Sequence, residues 1–258
     1  MGDYYEERYK LRDHDFKILE KFEFKYSPVG FKFFNTKPDL DGLKKLDKKI
    51  AWCQMLIEAQ RGKAFYAESD NQSCIPGLFL PGHEERDPVA SGGRIGPAFQ
   101  IYPEERANRR IYQQLHYLEK GSVHSTGFAP LNKLMFDPDL LILTCDSYDQ
   151  TERLLRACQY DTGDLIESKM TYVIGCNWLF NYPYVTGKIN YITTGLCYGM
   201  KLHKIYPAGL QIVSIPWHHL DRVLRNINEM PWTCPGHTDQ KEEFYVKAHK
   251  KLGVAQII

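Results

Sequence analysis

Apolar runs along the chain predict several β-strands. The segment 28–34 is compact and aromatic, and 140–144 is a continuous apolar run that follows Asp-Pro-Asp. A continuous run of this length is typical of a strand that is buried on both faces of a sheet. Strands are therefore predicted at five places: residues 28–34, 64–67, 140–144, 171–174 and 210–215.

Apolar residues at helical spacing predict helices between these strands. Leu46, Ile50, Cys53 and Leu56 fall on one helical face, and Gly62 ends the run, which indicates an amphipathic helix of about four turns. Residues 1–20 form a polar lead-in with helical tendency. Further helices are predicted over four segments, the last of them highly charged: residues 103–119, 149–163, 216–228 and 239–252.

The order of these elements predicts the fold class. Helices and strands alternate throughout, and no linker or run of like charge marks a boundary. Residues 71–103 are rich in Gly and Pro, and a long irregular segment of this kind is more often a binding loop than a filler. We therefore expect an α/β or α+β fold in which residues 1–258 form a single domain. A mixed sheet would be flanked by helices and carry the long Gly/Pro-rich loop.

Composition and charge exclude some classes of protein. A chain of 258 residues with 43% apolar residues can bury a core without disulfides. The net charge of +1 disfavours a nucleic-acid-binding protein, because phosphate contacts usually require a basic excess. No stretch approaches about 18 apolar residues, so no membrane span is expected. The N-terminal segment is polar and does not resemble a secretory signal, and a cytoplasmic location is expected.

Four of the seven cysteines stand out as candidate ligands. Three of the four have Gly within two or three residues, and Gly lets the backbone approach a bulky ligand and leaves amides free to point at sulfur. The first two are separated by the same number of residues as the last two. These four candidates are Cys53, Cys74, Cys176 and Cys197.

Thiolates at these four positions would bind a soft metal such as iron in a cluster, or zinc. The spacing does not match the compact Cys pairs of zinc ribbons or of bacterial ferredoxins. Buried free cysteine is also a common small apolar residue, and this second interpretation stays open for all four. Cys145 closes an apolar strand and Cys158 lies on an apolar helix face, so both are expected in the core.

Several short motifs along the chain match those of a known family. They are Pro28-Val29-Gly30-Phe31-Lys32, Cys53 with Ala59 and Gly62, Cys74 with Gly77-Leu78, Pro138-Asp139-Leu140-Leu141-Ile142, Gly195-Leu196-Cys197-Tyr198-Gly199-Met200-Lys201 and Ile215-Pro216. On these residues the chain resembles the DUF169 family, which is widespread in anaerobic archaea and bacteria. The resemblance covers residues 28–228 approximately and implies a shared fold and shared cysteines at positions 53, 74, 176 and 197. It supports a cysteine-bound iron–sulfur cluster more strongly than the spacing alone does.

Three functional hypotheses follow. The first is a cytoplasmic protein that holds one [4Fe–4S] cluster on the four cysteines and has a redox role. If one of the four is not a ligand, the open iron would instead have a Lewis-acid role on a small molecule. The second is a metal-free enzyme or ligand-binding protein in which Cys74 or Cys197 is a reactive thiol. The third is an accessory subunit with structural cysteines. Expected partners are a small-molecule substrate and an electron-transfer protein, with self-association left open and no nucleic acid or membrane.

Other motifs are weaker candidates. The glycines of residues 92–96 could cradle a phosphate, but they lack the Lys-Ser/Thr of a P-loop and favour a turn. One Cys and one His, Cys234 and His237, are too few ligands to hold a metal by themselves. The adjacent residues His218 and His219 would point to different sides of a helix, so they cannot easily bind the same metal. An aromatic group follows Cys176 and is interpreted either as core or as a wall that shields a cluster from water: Trp178, Phe180, Tyr182, Tyr184 and Tyr191.

Overall fold

A computed structural model describes residues 16–253. Within that range the chain forms one mixed sheet of seven strands in the order β2-β3-β4-β1-β5-β7-β6. All neighbouring strands are antiparallel except β2 and β3, which pair in parallel at one edge. The strands are β1 (Val29–Phe34), β2 (Lys44–Lys45), β3 (Phe65–Ala67), β4 (Ser125–Pro130), β5 (Leu140–Cys145), β6 (Asn190–Thr193) and β7 (Gln211–Pro216).

Helices cover both faces of this sheet. The α-helices are α1 (Trp52–Gln60), α2 (Ile75–Phe79), α3 (Pro88–Ser91), α4 (Ile95–Ala98), α5 (Glu105–Tyr112), α6 (Tyr148–Gln159), α7 (Tyr182–Thr186), α8 (Tyr198–Leu202), α9 (Leu220–Glu229) and α10 (Lys241–Leu252). A π-helical turn, Asn177–Asn181, leads directly into α7. Short 3-10 helices lie at Phe16–Phe22, Ser69–Asn71, Leu131–Lys133, Trp217–His219 and Pro235–His237.

The sheet separates two apolar cores. Alternate residues of β5 point to opposite faces, so that Leu140 and Ile142 belong to one core and Leu141 and Leu143 to the other. The first core contains the buried face of α1. The second lies under α6 and α9. The predicted fold class, a mixed sheet flanked by helices, is confirmed.

Several predicted elements differ from the observed ones. The residues from 171 to 174 do not form the predicted strand. They bend, and Ile174 takes a positive φ of 59° before the chain enters a helix. The predicted helix from Leu46 begins only at Trp52, because the preceding segment pairs with the sheet edge through Ile50 and Gln72. The helix predicted over 103–119 is the shorter α5, and strands β2, β4 and β6 were not predicted.

The Gly/Pro-rich segment 71–103 holds three short helices, α2 to α4, joined by turns. The predicted C-terminal charged helix is confirmed as α10. The lead-in prediction for residues 1–20 lies largely outside the described residues. Between residues 16 and 253, every helix is too short or too polar to traverse a bilayer.

Candidate metal centre

All four candidate cysteines line a single pocket of about 420 Å³ on the α1 side of the sheet. Cys53 is the second residue of α1, and Cys74 directly precedes α2. Cys176 directly precedes the π-helical turn, and Cys197 directly precedes α8. Four segments that are distant in sequence therefore meet at one place, each at the start of a helix.

The edge of the sheet holds Cys53 and Cys74 together. The parallel pairing of β2 with β3 continues as a bridge between Ile50 and Gln72. The Ile50 amide donates to Asn71 at 2.9 Å, and the Ser73 amide donates to Ile50 at 3.1 Å. Because both chains turn into helices just beyond this bridge, the two thiols reach the same pocket.

A second backbone contact joins the segments that carry Cys176 and Cys197. The amide of Tyr198 donates to the carbonyl of Tyr172 at 2.7 Å. A side chain at Gly175 would place its Cβ 2.9 Å from Sγ of Cys197, which is closer than van der Waals contact allows. Gly175 therefore permits the approach of these two segments. Ile174, just before it, holds a left-handed backbone that is costly for a β-branched residue, and such strain clusters at functional sites.

The helix starts direct backbone N–H groups towards the sulfurs. The amides of Trp52 and Gly77 interact with the Cys74 thiol, and the amide of Asn177 interacts with the Cys176 thiol. The amides of Gly77 and Asn177 also donate to the carbonyls of Cys74 and Ile174, at 3.1 Å each, and N–H groups at the start of a helix favour negative charge nearby. This environment suits thiolate or a thiolate-bound anionic group.

Without a cation, burial keeps three of these thiols, Cys53, Cys74 and Cys176, protonated. Burial raises the pKa of Cys53 and Cys176 well above the ordinary thiol value, and the neighbouring cysteines raise it further. Burial also raises the pKa of Cys74, although the backbone amides oppose the effect. A desolvated thiolate that faces other thiolates is unfavourable until a positive charge compensates it.

The rest of the pocket wall is mainly apolar and comes from residues that the sequence did not single out. Trp52 packs against the core through Phe180, with ring centroids 4.7 Å apart. Tyr112 lies close enough to Cys176 for the two to interact electrostatically. The only feature of the sequence that could have pointed to one of these wall residues is that Trp52 directly precedes Cys53. The other wall residues that sequence analysis missed include Asn108, Ile95, Phe99, Ile101, Val173 and Leu202.

The aromatic group after Cys176 does not form the wall of the pocket. Trp178, Phe180 and Tyr182 are buried in the core, and Tyr184 is exposed. Tyr191 packs on the opposite side of the sheet. Between the two interpretations of this group, the structure supports packing, because none of these residues is among those that line the cysteine pocket.

Two features test whether this pocket suits a bound inorganic group. Trp52 lines the pocket, and its buried Nε1 has no hydrogen-bond acceptor among the described residues. A Cβ added at Gly199, also in the wall, would meet no described atom within 4 Å. The pocket thus offers four soft sulfur donors, an unused N–H donor and free space, which fits a cysteine-bound cluster.

The remaining cysteines lie elsewhere. Cys145 and Cys158 are buried in the opposite core, which confirms their predicted packing role. Cys234 directly precedes a short 3-10 turn of which His237 is the last residue. His219 is held by the carbonyl of Gly187, 3.0 Å from its Nε2.

The glycines of residues 92–96 pack helices and do not form a phosphate loop. Gly96 lies against α5, where an added Cβ would stand 2.7 Å from Cβ of Asn108. Within residues 16–253, no set of three or more Cys, His, Asp or Glu side chains is grouped in a way that would bind a single metal ion.

These features define an α/β protein with a four-cysteine pocket at the starts of four helices. A family model, DUF169, described as "Uncharacterised ArCR, COG2043", matches residues 17–226. The match covers most of the chain, so the chain belongs to the DUF169 family, as the sequence resemblance indicated. Comparisons with curated proteins and with solved structures give no match.

Proposed function

We propose that this protein binds a [4Fe–4S] cluster through Cys53, Cys74, Cys176 and Cys197, and that it acts on a small molecule beside the cluster in a redox or cluster-assisted reaction. The observation that carries the proposal is the convergence of these four cysteines on one pocket. The electrostatic interaction of Cys176 with each of the other three supports their proximity.

The donor set favours a cluster over a single ion. Four thiolates around one zinc ion each lie about 2.3 Å from the metal, so that their sulfurs are nearly in contact. The described residues contain no group in that arrangement. A four-iron core stands between its cysteines and separates them more widely, which is compatible with four cysteines that line one pocket without grouping around a single point.

The protonation of three of the four thiols supports a metal over a reactive cysteine at those three positions. A nucleophilic cysteine requires a lowered pKa. Burial instead raises the pKa of Cys53, Cys74 and Cys176. A bound metal supplies the missing positive charge, and binding then releases the thiol protons.

When bound through all four cysteines, a cluster of this type would transfer single electrons, and if one of the four were not a ligand, the open iron would act as a Lewis acid. The residues of the chain provide the surroundings. Trp52 and Tyr112 limit the access of water, and the backbone amides at the helix starts offset the negative charge of the thiolates. As part of the same proposal we place the protein in the cytoplasm, where free thiols persist, with an electron-transfer protein as its redox partner.

Anaerobic reconstitution of the full chain with iron and sulfide tests the proposal. We expect about four irons per chain and a broad absorbance near ~400 nm from thiolate-to-iron charge transfer. Cys→Ser variants at positions 53, 74, 176 and 197 should each lower iron content and absorbance. Cys158→Ser and Cys234→Ser are the matched controls and should retain both.

Other outcomes would support the other hypotheses. A colourless protein with one rapidly alkylated thiol would favour a reactive cysteine. A colourless protein in which all seven thiols react slowly would favour structural cysteines. Loss of iron in the Cys158→Ser control as well as in the four site variants would show that the assay reports folding and not ligation.

A further inference from the structure

The wall of the cysteine pocket includes a buried amide with an unused donor. Asn108 lies on α5, is 2% exposed and lines the pocket. Its Nδ2 has no hydrogen-bond partner among the described residues. An unpaired buried amide is unfavourable, and in native proteins such a group is usually satisfied by water or by a ligand.

The neighbouring chain is shaped to accommodate this amide. A Cβ at Gly96 would stand 2.7 Å from Cβ and 2.8 Å from Cγ of Asn108. Gly96 is therefore the residue that allows an Asn side chain to occupy this position. The other residues of α5 that are buried, Ile111 and Tyr112, pack in the core. Asn108 is thus a polar group at a position where packing alone would favour an apolar residue.

The remainder of this wall is apolar and continues to the mouth of the pocket. Ile75 is 44% exposed, Phe99 is 60% exposed and Leu202 is 63% exposed, and all three line the pocket. They come from three separate segments, so that they surround the opening. Of the described residues that line this pocket, none is Asp, Glu, Lys or Arg. A carboxylate would lose its hydration here, and the one basic side chain in the described wall is the half-buried imidazole of His203, next to Leu202.

We propose that the small molecule bound in this pocket is uncharged, has an apolar body and carries a carbonyl or amide head that hydrogen-bonds to Asn108. This inference rests on the proposed function only in that it places the molecule beside the cluster. The apolar side chains at the mouth contact the body of the ligand. Either atom of the Asn108 amide can face the head after a half-turn of the group, which makes a carboxamide the best-matched partner.

Three probes of similar size and different chemistry test this inference: benzamide, benzoate and toluene. Binding to the full-length protein is measured by ligand-observed NMR at millimolar concentrations, both before and after reconstitution with iron and sulfide. We expect benzamide to bind at least about tenfold more tightly than benzoate, because the described wall offers a buried carboxylate no Lys or Arg and only the single imidazole of His203. Benzamide should also bind about 3- to 10-fold more tightly than toluene, the usual effect of one hydrogen bond.

Three variants test whether the preference for benzamide depends on the Asn108 amide. Asn108→Leu should remove the preference of benzamide over toluene and leave toluene binding intact. Gly96→Ala, which displaces the same amide by contact, should reduce the preference as well. Asn226→Leu is the matched control, since Asn226 is a buried amide in the opposite half of the molecule that donates to Ala157 and Asp161. It should lower stability without changing the order of the probes.

Equal binding of benzamide and benzoate, an unchanged preference in Asn108→Leu, or no binding of any probe would overturn the inference. The chromophore is measured on the same samples. Failure of the cluster proposal is therefore seen separately, as a colourless protein whose probe preference still depends on Asn108. Failure of the present inference is seen as a coloured protein without that preference.

Discussion

At the scale of single residues, the space next to each sulfur restricts which side chains the neighbouring chain can carry. Gly175 illustrates this restriction, because it contacts the Cys197 thiol from a different segment. The sequence showed Gly beside Cys176 and suggested close approach of a ligand. The structure shows that the close approach is to another cysteine, which only the folded chain could reveal.

Replacing Gly175 with Ala should disturb the cysteine pocket directly. The new Cβ would lie 2.9 Å from Sγ of Cys197, so the thiol must move. We expect the free energy of unfolding to fall by about 1–3 kcal/mol, as in other overpacked cores. Iron retained after reconstitution should fall at the same time. Gly199→Ala is the control for stability, because a Cβ there meets no described atom within 4 Å.

A buried carboxyl predicts a measurable pH dependence. Asp139 Oδ2 accepts a hydrogen bond of 2.7 Å from the Phe33 amide, and its Oδ1 lies 3.9 Å from Nζ of Lys32. Burial raises the pKa of Asp139 to about 6, although both neighbours oppose the shift. The folded protein therefore holds this proton more tightly than the unfolded chain, and Asp139 makes stability fall as the pH rises from about 4 to about 6.

Asp139→Asn should remove this contribution. Urea unfolding of both proteins at several pH values gives the difference between their free energies of unfolding. From pH 4 to pH 7, the wild-type protein should lose about 2–3 kcal/mol of stability relative to the variant. This is the value expected for a shift of about two pKa units. The exposed Asp41→Asn is the control. A difference that does not vary with pH would contradict the prediction.

At the scale of elements, continuous apolar runs predicted strands well when the strand lies in the middle of the sheet. The runs at β1, β5 and β7 are buried on both faces and were predicted to within about one residue. Strand β4 has the sequence STGFAP, which lacks the β-branched pattern of a strand. It forms because β1 and β3 offer hydrogen bonds on both sides, information that is not local.

Residues 171–174 were predicted to form a strand, but this apolar run does not belong to the sheet. Its apolar residues Val173 and Ile174 are buried because they pack beneath the pocket, not because they belong to a sheet. An apolar run alone does not distinguish these two kinds of burial. The positive φ of Ile174 then starts a helix and brings Cys176 to the pocket.

The π-helical turn after Cys176 is anchored by a side chain. Oδ1 of Asn177 accepts a hydrogen bond of 2.8 Å from the His116 amide. Asn177→Ala would leave that amide without its acceptor, and we expect a loss of about 1–3 kcal/mol of stability. Iron retention should also fall, because the turn directly follows Cys176. Gln114→Ala, in the same segment as His116 but exposed, should change neither, and thermal unfolding with iron analysis tests both variants.

At the scale of the whole molecule, the sheet sorts the cysteines into two groups. Cys145 and Cys158 lie in the core under α6 and α9, and the four candidate ligands lie on the other side. Sequence analysis could select three of the four by their neighbouring glycines, and all four by the DUF169 resemblance. It could not show their convergence, which depends on the edge pairing near Ile50 and on the contact between Tyr172 and Tyr198.

Because the four cysteines come from separate segments, a bound cluster would join these segments in the folded state only. A group that binds the folded chain but not the unfolded chain raises the free energy of unfolding. We therefore expect the reconstituted protein to unfold at a higher urea concentration than the same protein after treatment with an iron chelator.

In the double variant Cys53→Ser/Cys176→Ser, which lacks one ligand from each pair, that difference should disappear. Cys145→Ala is the matched control on the opposite side of the sheet. It should lower both midpoints equally and keep the difference between them, and equal midpoints in the wild-type protein would contradict a cluster that links the four segments.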